Sequence, residues 1–269
     1  MAGVQYCIVK KERVDVLLVE RGLAESRSLA QRLVMAGKVR ANGQLVAKPS
    51  VTLELDSQLE IEHGPRYVSR GGEKLEAALE TFKLDVNGFV CADVGASTGG
   101  FTDCLLQHGA SLVYAIDVGS GILHWKLRRD ERVQVLERTN ARHLDGLPEQ
   151  VSLVTIDASF ISLKLLLPMV KDWLEPERGQ VVALIKPQFE AGRKLAAKGK
   201  GVIRDPTVHR QVLDEVLNFA QKQDFHVLGL TRSPVLGPKG NVEFLAWLGL
   251  IGIKVDLGKT IDSVVYIEE

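Results

Sequence analysis

Four charged side chains stand where charge needs a reason. Asp157 closes the apolar run from Val151, and Lys186 closes the run from Gln180. A charge ending such a run needs a partner. Lys74, in Arg-Gly-Gly-Glu-Lys-Leu, and Glu243, in Gly-Asn-Val-Glu-Phe-Leu, complete a set of two ammonium and two carboxylate groups. Singly, each reads as a solvated strand end or cap as readily as a catalyst. Together they could handle a proton and stabilise a developing anion.

A second constellation precedes three of them. Asp93-Val94-Gly95-Ala96-Ser97-Thr98-Gly99-Gly100-Phe101 leaves one apolar run and opens a helix. Its glycines permit a sharp turn and let backbone N–H groups approach a ligand closely. Asp117, followed by Val118, ends the next run, 24 residues beyond Asp93. A carboxylate there can accept hydrogen bonds from both ribose hydroxyls of a nucleoside. Asn140, after the third run, stands where adenine contacts arise, and equally where a plain loop Asn would. The spacing G-x-x-x-G-G departs from the dinucleotide fingerprint G-x-G-x-x-G. S-adenosylmethionine (SAM) has a cationic sulfonium and no pyrophosphate, so acidic groups near the loop suit it better than a phosphate ligand. A tight structural turn is the alternative.

The elements that must position these groups alternate. Apolar runs at Phe89–Val94, Leu112–Asp117, Val133–Leu136, Val151–Asp157 and Gln180–Lys186 predict strands, with later ones at Phe225–Thr231 and Val242–Gly249. Helices are expected between them, notably over Phe160–Leu174 and over Pro206–Gln221 with proline at N1. The pattern predicts an α/β, Rossmann-like domain whose mainly parallel sheet carries helices on both faces. Ligands of such sheets bind at the carboxyl ends of the strands, where Asp157 and Lys186 fall.

A small α+β module comes first. Val14, Leu17, Leu18 and Leu23 make a helical stripe ended by Gly22. Ser26 then caps a second helix whose Leu29, Ala30, Leu33 and Val34 share a face, leaving Arg27 and Gln31 opposite with Arg32 beside them. Asn42-Gly43 between Val39–Ala41 and Gln44–Val46 predicts a type I′ hairpin, and Val51–Ile61 adds a strand. Gly64-Pro65 breaks the pattern, so a linker is expected over 65–68.

Composition narrows the class. The 269 residues balance 34 Lys+Arg against 34 Asp+Glu. Yet residues 1–50 hold nine basic groups (Lys10, Lys11, Arg13, Arg21, Arg27, Arg32, Lys38, Arg40, Lys48) against four acids, and residues 186–210 hold seven against two. Such polarised charge suits a phosphate backbone, or is merely solvated. Cys7, Cys91 and Cys104 form no C-x-x-C pair, so reduced thiols rather than disulfides or zinc ligands are expected, and the histidines lack metal spacing. The first twenty residues show no signal-peptide run, and no stretch reaches the ~18 apolar residues of a spanning helix. A cytoplasmic protein with no metal and no membrane partner is expected.

The run Arg13 to Gly43 resembles the RNA-binding domain named after ribosomal protein S-four. That resemblance implies RNA contacts from Arg27, Arg32, Lys38 and Arg40, and Arg13 is placed with them. The order Lys–Asp–Lys–Glu, with D-V-G-A-S-T-G-G-F, I-D-A-S-F and I-K-P-Q-F-E, resembles FtsJ-type RNA ribose 2′-O-methyltransferases. With the R-Y-V-S-R-G-G-E-K-L junction it is similar to the hemolysin A (TlyA) family. The resemblance implies SAM as cofactor, ribosomal RNA or assembled ribosomal subunits as partner, and Lys74, Asp157, Lys186 and Glu243 as a catalytic tetrad. It implies an RNA-binding domain over 1–64 and a methyltransferase domain over 69–250, leaving a 251–269 tail without an assigned role. Arg66 and Arg70 of the junction, and Arg193, Lys194, Lys198 and Lys200 of the Gly/Lys-rich segment Phe189–Arg204, are expected to meet RNA phosphates. An RNA-binding protein with an idle catalytic domain is the competing reading. A nicotinamide oxidoreductase would leave the basic module unexplained, and a membrane-lytic toxin would lack a membrane-length apolar run.

Overall fold

Two of the strand-end charges owe their position to a register. β9 (Leu153–Ile156) and β10 (Gln180–Ile185) run parallel with Ala183 opposite Ile156, so the residues that follow them emerge at one end. The computed structural model describes residues 10–62, 64–192, 195, 199–253 and 255–266. It divides into units Met1–Arg66 and Tyr67–Glu269. The division falls within the expected linker, and Tyr67 is already buried in the core of the second unit.

In the first unit, β1 (Lys11–Arg13) pairs antiparallel with β4 (Thr52–Glu54), and β2 (Val39–Ala41) lies between β3 (Gln44–Leu45) and β5 (Leu59–Ile61). Helices α1 (Val14–Glu20) and α2 (Arg27–Met35) close a core of Val14, Leu18, Ala30, Val34 and Val39. Ser26 Oγ accepts from the Leu29 amide at 3.3 Å, as a cap should. Asn42 (φ 50°) and Gly43 (φ 78°) take the two left-handed positions of the hairpin turn. Two expectations are corrected. The strand read over Val51–Ile61 is two strands in different sheets, because the chain turns where Ser57 N–H meets Glu54 C=O. Leu23 leaves the helical stripe and is exposed, with Ala24 buried in its place, because α1 stops at Glu20 and left-handed Gly22 redirects the chain.

The second unit is a seven-stranded sheet ordered β11-β12-β10-β9-β6-β7-β8. Its remaining strands are β6 (Val90–Val94), β7 (Leu112–Ile116), β8 (Val133–Leu136), β11 (His226–Arg232) and β12 (Phe244–Gly249). All pairings are parallel except those of β12, which runs against both β10 and β11. Successive side chains serve opposite faces. Leu153 and Leu184 join Leu75, Cys104 and Leu105 under α3 (Gly71–Phe82) and α4 (Gly100–Gln107). Ile156 and Ile185 join Trp173, Leu213 and Leu217 under α8 (Pro206–Lys222). Between these lie the short helices α5 (Trp125–Arg128), α6 (Leu167–Lys171) and α7 (Pro187–Glu190).

The long helix expected over Phe160–Leu174 is instead a 3-10 turn (Leu163–Leu165) followed by α6. Phe160 sits at φ 65°, which no right-handed helix can include, and Pro168 lies in the first turn of α6, where its missing N–H costs nothing. The tail contains a helix, α9 (Leu257–Val265), packed on α8 with Ile261 fully buried.

Candidate active site

Asp157 and Lys186 follow the adjacent strands β9 and β10, and Lys186 Nζ lies 2.6 Å from Asp157 Oδ1. The same ammonium donates to Ser159 Oγ at 3.0 Å and reaches the Asp157 carbonyl oxygen at 3.5 Å.

Glu243 precedes β12. Because β12 runs antiparallel, its first residue, Phe244, pairs with the last of β10, Ile185. The start of one strand and the end of the other therefore open on the same crevice. There Glu243 Oε2 accepts from Lys74 Nζ, carried by α3, at 2.6 Å across 169 residues of sequence. Lys74 is 8% exposed and Glu243 1%. Taking two such charges out of water is tolerated because each neutralises the other. Gln188, on α7, donates to Glu243 Oε1 at 3.3 Å. The structure thus gathers Lys74, Asp157, Lys186 and Glu243 as two ion pairs on the wall of one cavity of about 590 Å³.

The glycine loop forms another part of that wall. Gly95, Ala96, Ser97, Thr98, Gly100 and Phe101 line the cavity. Gly95 has φ +84°, and a Cβ there would stand 2.8 Å from the Asp157 carbonyl oxygen. Only glycine allows this approach of loop to strand end. Asp117 fastens the loop, its carboxylate accepting from Ser97 N–H at 2.8 Å and from Gly119 N–H at 2.7 Å. Asp117, Val118 and Asn140 line an adjoining pocket of about 280 Å³, floored by Ile161 and Leu166. The two spaces share Gly95, Ser97, Asp157, Ser159 and Phe160. An apolar slot with a carboxylate at its edge fits an adenosine.

Asp93 and Gly99 line neither space. Asp93 lies wholly buried under the loop, where Thr102 Oγ1 (2.6 Å) and Thr155 Oγ1 (3.1 Å) donate to it. Burial outweighs those hydrogen bonds and raises its carboxyl to about 7. Gly99, at φ 98°, caps α4. Asn140 Oδ1 accepts from Arg142 N–H at 3.1 Å, and so also caps a 3-10 turn.

Arg70 reaches the cavity rim. In the first unit, Arg32 is exposed and Lys38 half-buried, while Arg40 Nε meets Glu62 at 2.5 Å. Arg13 and Arg27 both turn to Asp15. Arg66 is exposed, as is Lys200, whereas Arg193, Lys194 and Lys198 fall outside the described residues. Ser159, Gln188 and Asp15 escaped sequence reading. The signals were there: a hydroxyl two residues past Asp157, an amide two past Lys186, and an acid flanked by valines. Among the described residues no cluster could hold a metal ion, and no helix is long and apolar enough to cross a membrane. Cys91 and Cys104 are buried thiols in no disulfide; Cys7 lies outside the described residues.

A Rossmann-type sheet with a nucleoside-sized pocket and a charged crevice at its strand ends defines a nucleoside-cofactor enzyme. The chain belongs to the FtsJ-like methyltransferase family, whose model matches residues 67–250, and an S4 domain matches residues 12–59 ahead of it. Its cofactor is SAM. It is 50% identical over 246 residues to Bacillus subtilis YqxC, provisionally named an rRNA methyltransferase, spanning 89% of this chain and 86% of that protein. It is 44% identical over 245 residues to the 16S/23S rRNA (cytidine-2′-O)-methyltransferase TlyA of Mycobacterium tuberculosis, spanning 90% and 91%. A solved chain from Streptococcus thermophilus, provisionally named a hemolysin, superposes with a TM-score of 0.71 at 46% identity, covering 96% of this chain and 95% of that one.

Proposed function

We propose that this protein transfers the methyl group of SAM to a ribose 2′-hydroxyl of ribosomal RNA, free or within a ribosomal subunit, in the cytoplasm. One observation carries the reading: two lysine–carboxylate pairs converge on a cavity that opens into a nucleoside-sized pocket. The names of the relatives supply the substrate class, and buried thiols in no disulfide accord with a reducing compartment.

SAM supplies an electrophilic methyl group on a good leaving group, so the protein's work is alignment and charge. With SAM bound, the 2′-oxygen would take the methyl group as the sulfur leaves, and the Asp157 carboxylate beside Lys186 would accept the hydroxyl proton. Lys186 Nζ, held by Asp157 and Ser159, is placed to steady the oxygen as negative charge grows on it. Lys74, fixed by Glu243, adds positive potential to the same cavity. The glycine loop and Asp117 hold the donor in line, which contributes much of the acceleration in displacements of this kind. The basic first unit and Arg70 hold the RNA backbone.

The test is incubation with labelled SAM and unmodified ribosomal subunits, followed by mapping of ribose methylation. Label on a ribose 2′-oxygen is the expected result. Label on bases alone, or binding of NAD in place of SAM, would end the reading.

A further inference from the structure

The first unit contains a buried acid that the transfer chemistry does not use. Asp15 lies in the first turn of α1 and is fully buried. Four donor nitrogens converge on its carboxylate. Arg13 binds it with both ends of its fork, Nε to Oδ1 at 2.9 Å and Nη2 to Oδ2 at 3.0 Å. Arg27 Nε and Gln31 Nε2 reach Oδ2 at 3.0 and 2.8 Å. Arg13 ends β1, whereas Arg27 and Gln31 lie one turn apart on α2. One carboxylate therefore ties the end of a strand to the polar face of a helix.

Two cations share this one anion, so a net positive charge stays at a fixed place. The arginines are not buried with it, their side chains being 40% and 54% exposed. Arg27 spends only Nε on Asp15, and among the described residues its two terminal nitrogens have no hydrogen-bond partner. Arg13 keeps Nη1 in the same way. Arg13 Nη2 and Arg27 Nε touch the same oxygen, so the two guanidinium groups are brought together there. The terminal nitrogens of Arg27, with Nη1 of Arg13 nearby, can bind the oxygens of a phosphodiester.

We propose that Asp15 is a positioning residue that locks Arg13 and Arg27 into a two-arginine clamp for one backbone phosphate of the RNA. This rests on the RNA-directed function proposed above and adds its anchoring point. Fixing the long side chains in advance removes rotamer entropy that binding would otherwise cost.

The direction of one effect separates a clamp from a diffuse basic surface. Asp15→Asn removes a negative charge beside the RNA, so diffuse attraction would tighten binding. The clamp instead loses its anchor, and affinity should fall, by about 5- to 20-fold for one oriented charge-assisted contact. The measurement is binding of the full chain to unmodified ribosomal RNA transcripts over a range of salt, with a melting curve for each variant. The slope of log affinity against log salt should become shallower by about 0.7–0.9, the loss of one phosphate contact. Arg27→Lys, at an exposed position that leaves the core intact, keeps the charge but not the fork and should weaken binding about fivefold by the same reasoning. Binding as tight as wild type in Arg27→Lys, or tighter binding by folded Asp15→Asn, overturns the clamp. Wild-type protein that fails to bind the transcripts would instead overturn the RNA-directed function.

Discussion

Lys186 and Asp157 end neighbouring parallel strands, and their side chains close a 2.6 Å ion pair across the gap between them. Lys186→Ala opens that pair on the substrate side of the cavity. Methyl transfer should fall by on the order of 10²–10⁴-fold, the usual worth of a proton-handling group. SAM affinity should stay within about threefold, because the glycine loop and Asp117 are untouched. Single-turnover transfer and SAM titration read the two separately; substantial transfer in the variant would remove Lys186 from the chemistry.

Glu243→Ala leaves the Lys74 ammonium in a wall where its side chain is only 10% exposed. Removing one partner of a buried pair costs about 3–5 kcal/mol. Lys74→Met in the same chain should recover part of that loss, since no orphan charge then remains. Urea unfolding of both variants checks this, and equal stabilities would mean that water reaches Lys74 freely.

Gly95→Ala places a methyl group 2.8 Å from the Asp157 carbonyl oxygen at a φ of +84°. Strain of about 1–3 kcal/mol is expected at such a position. The loop must retreat from β9, and SAM affinity should drop by about 5- to 150-fold by that conversion. Unchanged affinity would place the cofactor elsewhere.

Asp93 gives a pH dependence with a definite sign. Burial holds its folded-state carboxyl near 7, against 3.8 when free. Between those values the folded chain binds a proton that the unfolded chain has released. Stability from this group therefore falls as pH rises from about 4 to about 7, and stays low above. Asp93→Asn removes the titration, so its stability relative to wild type should climb over that interval. Chemical denaturation at several pH values reads the difference, and a level difference would show that Asp93 ionises as freely as in the unfolded chain.

The sheet was legible because its central strands are short, nearly continuous apolar runs, and Asp157 and Lys186 because a charge interrupts each run at the end where ligands gather. The pairing was not. Glu243 comes to the same strand ends, where it meets Lys74, only because β12 runs backwards, and Lys186 meets Asp157 through the parallel register of β10 on β9; no local pattern announces either. Asp93 looked like a cofactor ligand because it precedes the glycines, but Thr102 from α4 and Thr155 from β9 fold over it. Arg27 was read on the face opposite the apolar stripe, and it is exposed there; the acid it turns to lies twelve residues earlier, in another helix, where helical phase gives no sign of it. Phe160 hid the break in its helix, since a left-handed aromatic residue has no sequence signature.

The match to the family model ends at residue 250, but the folding unit does not. Ile261 and Val264 of α9 are set into the same core as Val212 and Val216 of α8, and Arg210 is joined to Asp262 at 2.8 Å. A chain trimmed to the shared segment would bare a greasy flank on α8 and clump during expression. The final turns act as a lid on the hydrophobic interior, and an evolving enzyme could discard them only by repainting that flank with polar side chains.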